Sequence, residues 1–190
     1  MAISAKSESA MSELDAIDLQ IVAILQEHGR LPLVKLGEQV GLSAPSVIER
    51  VKKLEETGVI VGYHAAVDAR RLGKDVTAFI GVQISHPRTI TMFEETVALF
   101  EDVLECHHVT GEHTFLLKVK THNTATLEKL IRAIRMIEGV TRTETAVVLS
   151  TPTERTQIAV HAGDLASAGN GRSHRHAAPR APAPAESRRG

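Results

Sequence analysis

At 190 residues the chain has room for one or two small domains rather than a single large one. Hydrophobic residues make up 43%, which excludes wholesale disorder, and aromatics only 3%, with no tryptophan, so any core is aliphatic. The net charge of −1 does not announce a nucleic-acid binder. The first 68 residues are acidic, with Lys6, Arg30, Lys35, Arg50, Lys52 and Lys53 facing ten carboxylates, so binding to phosphates would need a locally basic face.

The N-terminal residues MAISAKSESAMSELD are polar and lack the apolar core of a signal peptide. No run of about 18 apolar residues follows. The lone Cys106 rules out an intrachain disulfide and any zinc site built from several cysteines. These features predict a cytoplasmic protein.

Residues 1–13 read as a polar extension. From Ser12 to Gly58 the spacing predicts three helices. Leu14, Ile17, Ile21, Ile24 and Leu25 form one apolar stripe at intervals of three and four. Ser12 is the expected N-cap with Asp15 three residues on, and Gly29 the expected stop. Pro32 opens a second helix whose stripe is Leu33, Leu36 and Val40, ended by Gly41. Ser43 is the expected cap of the third, Pro45 fits its first turn, and Val47, Ile48, Val51 and Leu54 form its inner face. After Gly58 the β-branched run Val59–Val67 predicts a strand.

Residues 68–74 form a polar hinge. Val76, Ala78, Ile80, Val82 and Ile84 then alternate as in a half-buried strand. Phe93, Val97 and Phe100 mark a helix. Strand-like runs at Val103–Thr110 and His113–Lys120 flank Gly111-Glu112. Leu127, Leu130, Ile131, Ile134 and Ile137 mark another helix, and Val140–Leu149 is the last strand, with Thr141, Thr143 and Thr145 on one face. The order β-α-β-β-α-β is that of a ferredoxin-like domain, here residues 75–152. Its helices cover one sheet face. The other is predicted to be apolar and to dimerise. Residues 153–190 are rich in Ala, Pro and Arg and read as a disordered tail.

The helices at Val34–Val40 and Ala44–Thr57, joined by Gly41-Leu42-Ser43, have the spacing of a helix-turn-helix. In that motif the N-terminal part of the second helix meets base edges. This makes Ser43, Ala44, Pro45, Ser46, Glu49, Arg50 and Lys53 the candidate DNA contacts, with Arg50 favoured for a guanine or a phosphate. A solvated helix with Glu49, Glu55 and Glu56 as intrahelical partners fits the same periodicity.

Leu14-Asp15-x-x-Asp18, Gly41-Leu42-Ser43, Arg50-Val51-x-x-Leu54-Glu55 and Gly58-Val59-Ile60-x-Gly62-Tyr63 together resemble the Lrp/AsnC family of feast/famine regulators. The resemblance runs from about Leu14 to Val148. It implies an N-terminal winged helix-turn-helix over residues 14–67, and an α+β architecture completed by a domain that senses effectors and oligomerises. It also implies homodimers, often assembled into octamers, regulating transcription on double-stranded DNA without a cofactor. In that family an amino acid or related metabolite binds between subunits near the turn joining the second and third strands of the sensing domain. The matching residues here are Gly111, Glu112 and Thr114, with Thr143 and Thr145 on the last strand. Thr114 stands where the family often has a second acid.

His107, His108 and His113 form the densest cluster of titratable groups. Adjacent strand residues point to opposite faces, so His107 and His108 of one chain cannot share a metal, and no metal site is expected. Some relatives of this fold are siroheme decarboxylases, an alternative in which Arg132, Arg135 and Arg142 would meet tetrapyrrole carboxylates. No Ser-His-Asp set, phosphate-cradling Gly loop or HExxH motif is present, and no catalytic residue is expected.

Overall fold

The computed structural model describes residues 14–160, which divide into two compact units. The first comprises residues 14–64 and 156–160, and the second residues 65–155. Ser12 and the Arg-rich residues 171–190 lie outside the described residues.

In the first unit, helix α1 (Ala16–Glu27) begins at Asp15. The Asp15 carboxylate accepts from the N–H groups of Ile17 and Asp18 at 2.9 and 2.8 Å, and the Asp18 carboxylate accepts from the Asp15 N–H at 3.1 Å. This reciprocal box satisfies the first orphan donors of the helix, so Asp15 rather than Ser12 is the cap. Helix α2 (Leu33–Val40) follows Pro32 and ends at Gly41, whose φ of 70° is left-handed. Helix α3 (Ala44–Glu56) is capped by Ser43 and carries Pro45 in its first turn.

Ile21, Leu25, Leu36, Val47, Val51 and Leu54 form the buried core of this unit. Ile48, expected on the inner face of α3, is 49% exposed instead, because one residue beyond Val47 turns it about 100° away from the core. Gly37 lies in α2 where the turn into α3 passes close. Leu42 donates its N–H to the Gly37 carbonyl at 2.9 Å, and a Cβ on Gly37 would lie 2.8 Å from the Leu42 carbonyl oxygen.

The expected strand Val59–Val67 does not form. The Ile60 N–H still donates to Leu54, but no ladder partner follows and Val61 is 90% exposed. Strand propensity reflects packing against a neighbour, and among the described residues no neighbouring strand pairs with this run. Tyr63 holds the segment by donating its hydroxyl to Glu55 at 3.0 Å. Residues 156–160, expected to belong to a free tail, return to α1. There the Gln26 side-chain amide exchanges two hydrogen bonds with the Ile158 backbone, at 2.7 and 3.0 Å.

In the second unit Arg70–Leu72 forms a 3₁₀ turn. Strand β1 (Val76–Ile84), helix α4 (Ile90–Val97), strands β2 (Val103–His108) and β3 (Phe115–Thr121), helix α5 (Thr124–Arg135) and strand β4 (Val140–Val147) then follow. The sheet order is β2-β3-β1-β4, all antiparallel, which is the ferredoxin-like arrangement. Phe100 packs beyond the end of α4, and Leu149 lies beyond β4 and is exposed.

Ala78, Ile80, Val82, Phe115, Leu117 and Val119 pack against Phe93 and Val97 of α4 and Leu127, Leu130 and Ile134 of α5. Alternation therefore sends Phe79, Gly81, Leu116, Lys118, Glu105, His107, Arg142 and Glu144 to the opposite face. That face was expected to be apolar. It is mixed, with Phe79 and Leu116 set among ion pairs such as Lys118 to Glu105 at 3.0 Å and to Glu154 at 2.7 Å.

Gly37→Ala is expected to destabilise the protein by about 1–3 kcal/mol, because the new methyl meets backbone and cannot be accommodated by a rotamer change. Urea unfolding of the full chain followed by far-UV circular dichroism measures this.

Candidate nucleic-acid interface and effector site

The outer side of α3 carries Pro45, Ser46, Glu49, Lys52 and Lys53, all exposed, with Ala44 half-buried at the tip. Ser43 and Ser46 face one another, their hydroxyl oxygens 2.9 Å apart. An open cleft of about 750 Å³ runs between the start of α1 and this side of α3, lined by Asp15, Ser46, Glu49, Arg50 and Lys53 among others.

Arg50 points away from the outer side, toward α1. Its Nη1 donates to Asp15 Oδ2 at 2.8 Å and to Asp18 Oδ1 at 2.7 Å. The Asp18 side chain is only 10% exposed and that of Arg50 31%. The Asp15 carboxyl is held below its ordinary value, first by the Asp18 backbone N–H and also by Arg50. The Arg50 guanidinium is held above its ordinary value by the hydrogen bonds to Asp15 and then Asp18. The two carboxylates that cap α1 thus also take up the one guanidinium of α3. Local spacing gives no hint of this pairing, since Arg50 lies 32 residues beyond Asp18.

The candidate effector residues lie in two places. Gly111, with φ 118°, makes the β2–β3 turn in a conformation that favours glycine. The neighbouring Glu112 accepts from the Gln83 side chain through its backbone carbonyl at 2.8 Å, and its carboxylate lies 3.4 Å from Arg142. Thr114 accepts the Ile84 N–H at 3.1 Å. Thr143 and Thr145 pair with Val82 and Ile80, which puts them on the helix-covered face. The Thr143 hydroxyl is buried there and accepts from Arg135 Nε at 2.7 Å. The turn and the strand threonines therefore do not converge within one chain.

Sequence reasoning missed Arg142 and Gln83 as neighbours of the turn. It also missed the setting of His113, whose ring occupies the space that a Cβ on Gly81 would need and whose Nδ1 is buried without a hydrogen bond. A glycine inside an otherwise alternating strand was the available signal, because such a glycine marks a close approach. His107 pairs with Glu105 at 3.0 Å, while His108 stacks on Phe115 with ring centroids 4.8 Å apart. Among the described residues no three His, Cys, Asp or Glu side chains are grouped to hold a metal. Nor is any helix among them long and apolar enough to cross a membrane. Arg132 pairs with Glu128, and Arg135 lies on the helix side while Arg142 lies on the open face, so these arginines do not form one carboxylate site.

A helix-turn-helix of this geometry followed by a ferredoxin-like domain defines a two-domain class of transcription regulators. Residues 14–55 match the AsnC-type helix-turn-helix domain and residues 77–158 the Lrp/AsnC ligand binding domain, so the chain belongs to the Lrp/AsnC family. It is 43% identical to the HTH-type transcriptional regulator YezC of Bacillus subtilis over 72% of this chain and 94% of that one. It is 42% identical to the leucine-responsive regulatory protein of Rhizobium meliloti, covering 70% and 83%. The fold matches the transcriptional regulator NMB0573 of Neisseria meningitidis in complex with L-Met, with a TM-score of 0.73, 30% identity and coverage of 77% and 96%. Escherichia coli AsnC matches with a TM-score of 0.71 and 29% identity, covering 76% and 97%.

Arg50→Ala is expected to destabilise the first unit by about 1–3 kcal/mol, leaving the largely buried Asp18 carboxylate without its cation. The depressed Asp15 value contributes stability that is present above its unfolded pKa, near 3.8, and is lost as the pH falls through the lower folded value. Urea unfolding from neutral pH down to about pH 3 should show this acid loss in the wild type and a shallower one in Arg50→Ala.

Proposed function

We propose that the chain is a sequence-specific DNA-binding transcription regulator whose activity is set by a small metabolite, an amino acid or a close relative. The observation that carries this reading is α3 itself. A left-handed Gly41 turn presents a helix whose tip has only short side chains and whose outer side is free of core contacts. That is the shape a helix needs to enter the major groove N-terminus first.

Ser43, Ala44, Pro45, Ser46, Glu49 and Lys53 are the contacts in this reading. Arg50 acts as a positioning residue that fixes α3 against α1, because its guanidinium is already engaged by two carboxylates. Each unit alone brings few cations to the phosphates. Affinity then comes from several copies acting on one DNA, where linkage supplies effective concentration. A homodimer formed through the open sheet face, assembling further into a higher oligomer, provides those copies. Phe79 and Leu116 supply apolar contact on that face, and the surrounding ion pairs supply register.

The effector reading is supported by family membership and by the L-Met complex of the Neisseria relative. At the β2–β3 turn, Glu112 offers a carboxylate to an α-ammonium and Arg142 a guanidinium to an α-carboxylate. Their separation of 3.4 Å is that of a loose, exposed pair, so a zwitterion can replace it at small cost. Thr114 belongs to the same hairpin, whereas Thr143 and Thr145 lie on the helix-covered face, with the Thr143 hydroxyl taken up by Arg135, and stand apart from this pair. Binding between subunits would act by favouring one assembly over another, which requires different affinity for the two. The relatives are regulators, and this reading assigns the chain no catalytic reaction and no cofactor.

Fluorescence anisotropy with labelled DNA from upstream of the protein's own gene, at fixed salt, tests the proposal. Saturable binding above a scrambled control, altered by a pool of amino acids, is the expected result. Glu112→Gln should abolish the amino-acid effect and leave binding without effector unchanged. Equal affinity for both DNAs would overturn the proposal.

A further inference from the structure

Four facts about α3 decide which chemistry is available to read bases. Its only guanidinium, that of Arg50, is turned onto Asp15 and Asp18, which removes the side chain that most often recognises guanine. The Ser43 and Ser46 hydroxyls are directed at one another at the helix tip, with Ser43 also capping the Ser46 N–H. Lys52 leans on Glu56 at 3.6 Å. Glu49, in the second turn, lies on the side opposite the buried Val47, Val51 and Leu54, exposed, and no hydrogen bond or ion pair among the described residues engages it.

A lone carboxylate at that position is costly beside phosphates unless it meets a donor. The major-groove edges decide which donor. Guanine offers two acceptors there, thymine an acceptor and a methyl group, and adenine a donor beside an acceptor. Cytosine alone offers an amino group without an adjacent acceptor. A carboxylate is acceptor-only when ionised, so it is complementary to cytosine and repelled by the acceptor edges of the other bases.

We propose that Glu49 is the specificity-determining residue of the recognition helix and that it reads a cytosine amino group in the operator half-site. This rests on the assignment of α3 to the major groove made above and goes further, by naming the base. Arg50 serves the same reading indirectly, because its anchorage to α1 sets the rotation that aims Glu49 outward.

The test is selection of duplexes from a random-sequence library by the full-length wild type, Glu49→Gln and Glu49→Ala, followed by competition binding of the selected sites. The wild type is expected to select a half-site with one position held to cytosine, preferred by roughly 5- to 150-fold over other bases. Glu49→Gln should move that position to adenine, whose donor and acceptor suit an amide, and Glu49→Ala should leave it unconstrained. Neither substitution should lower the melting temperature, since Glu49 is exposed and no hydrogen bond or ion pair among the described residues engages it. The same preference in all three proteins, or a wild-type site with no constrained cytosine, would overturn the role of Glu49 while leaving the regulator intact. If no protein of the three enriched any sequence, the assignment of α3 would fail as well.

Discussion

One guanidinium nitrogen, Nη1 of Arg50, donates to Asp15 and to Asp18 at 2.8 and 2.7 Å, and the setting of the outer side of α3 depends on it. Asp15 and Asp18 are already the capping box of α1, so the contact ties the start of the first helix to the middle of the third. The core beneath is made of aliphatic side chains, which specify that the helices pack but leave their rotation loosely set. A charged pair with directional hydrogen bonds fixes that rotation. It also consumes the cation that a helix-turn-helix would ordinarily turn toward DNA.

This reconciles an acidic first domain with a nucleic-acid role. Two of its carboxylates are internal partners rather than free repulsive charges, and the surface left on α3 is short, polar and nearly neutral. Such a surface suits discrimination among bases more than strong phosphate attraction, and in the proposed assembly several copies on one DNA would supply the affinity a single copy lacks. The second domain has matching features. Its open face combines Phe79 and Leu116 with paired charges, and Glu112 of the β2–β3 turn lies 3.4 Å from Arg142 of β4.

Most of the fold was legible because the stripes of Ile21 and Leu25, of Val47, Val51 and Leu54, and of Ala78, Ile80 and Val82 each follow one clear period. The failures share a cause. Val59–Val67 reads as a strand only if a partner is assumed, and none of the described strands pairs with it. Arg50 reads as a free side chain only if its distant carboxylates are ignored. Thr143 and Thr145 were legible as one face of a strand, but which face depends on β1 pairing, and that pairing turns them toward the helices. Ile158 reads as tail until the Gln26 amide, 132 residues away, is found holding its backbone. Periodicity reports the local environment, and these contacts are nonlocal.

In the proposed reading Arg50 orients the recognition helix and does not itself touch the phosphate backbone. The most direct test is the salt dependence of operator binding for the wild type and Arg50→Ala, measured as log affinity against log salt concentration. A parallel line displaced to weaker binding is the predicted result, because orientation is lost but no counterion-releasing contact is removed. A slope shallower by about 0.9 for each copy bound would mean that one phosphate contact per copy had disappeared, and that Arg50 is itself a phosphate contact, contradicting the account.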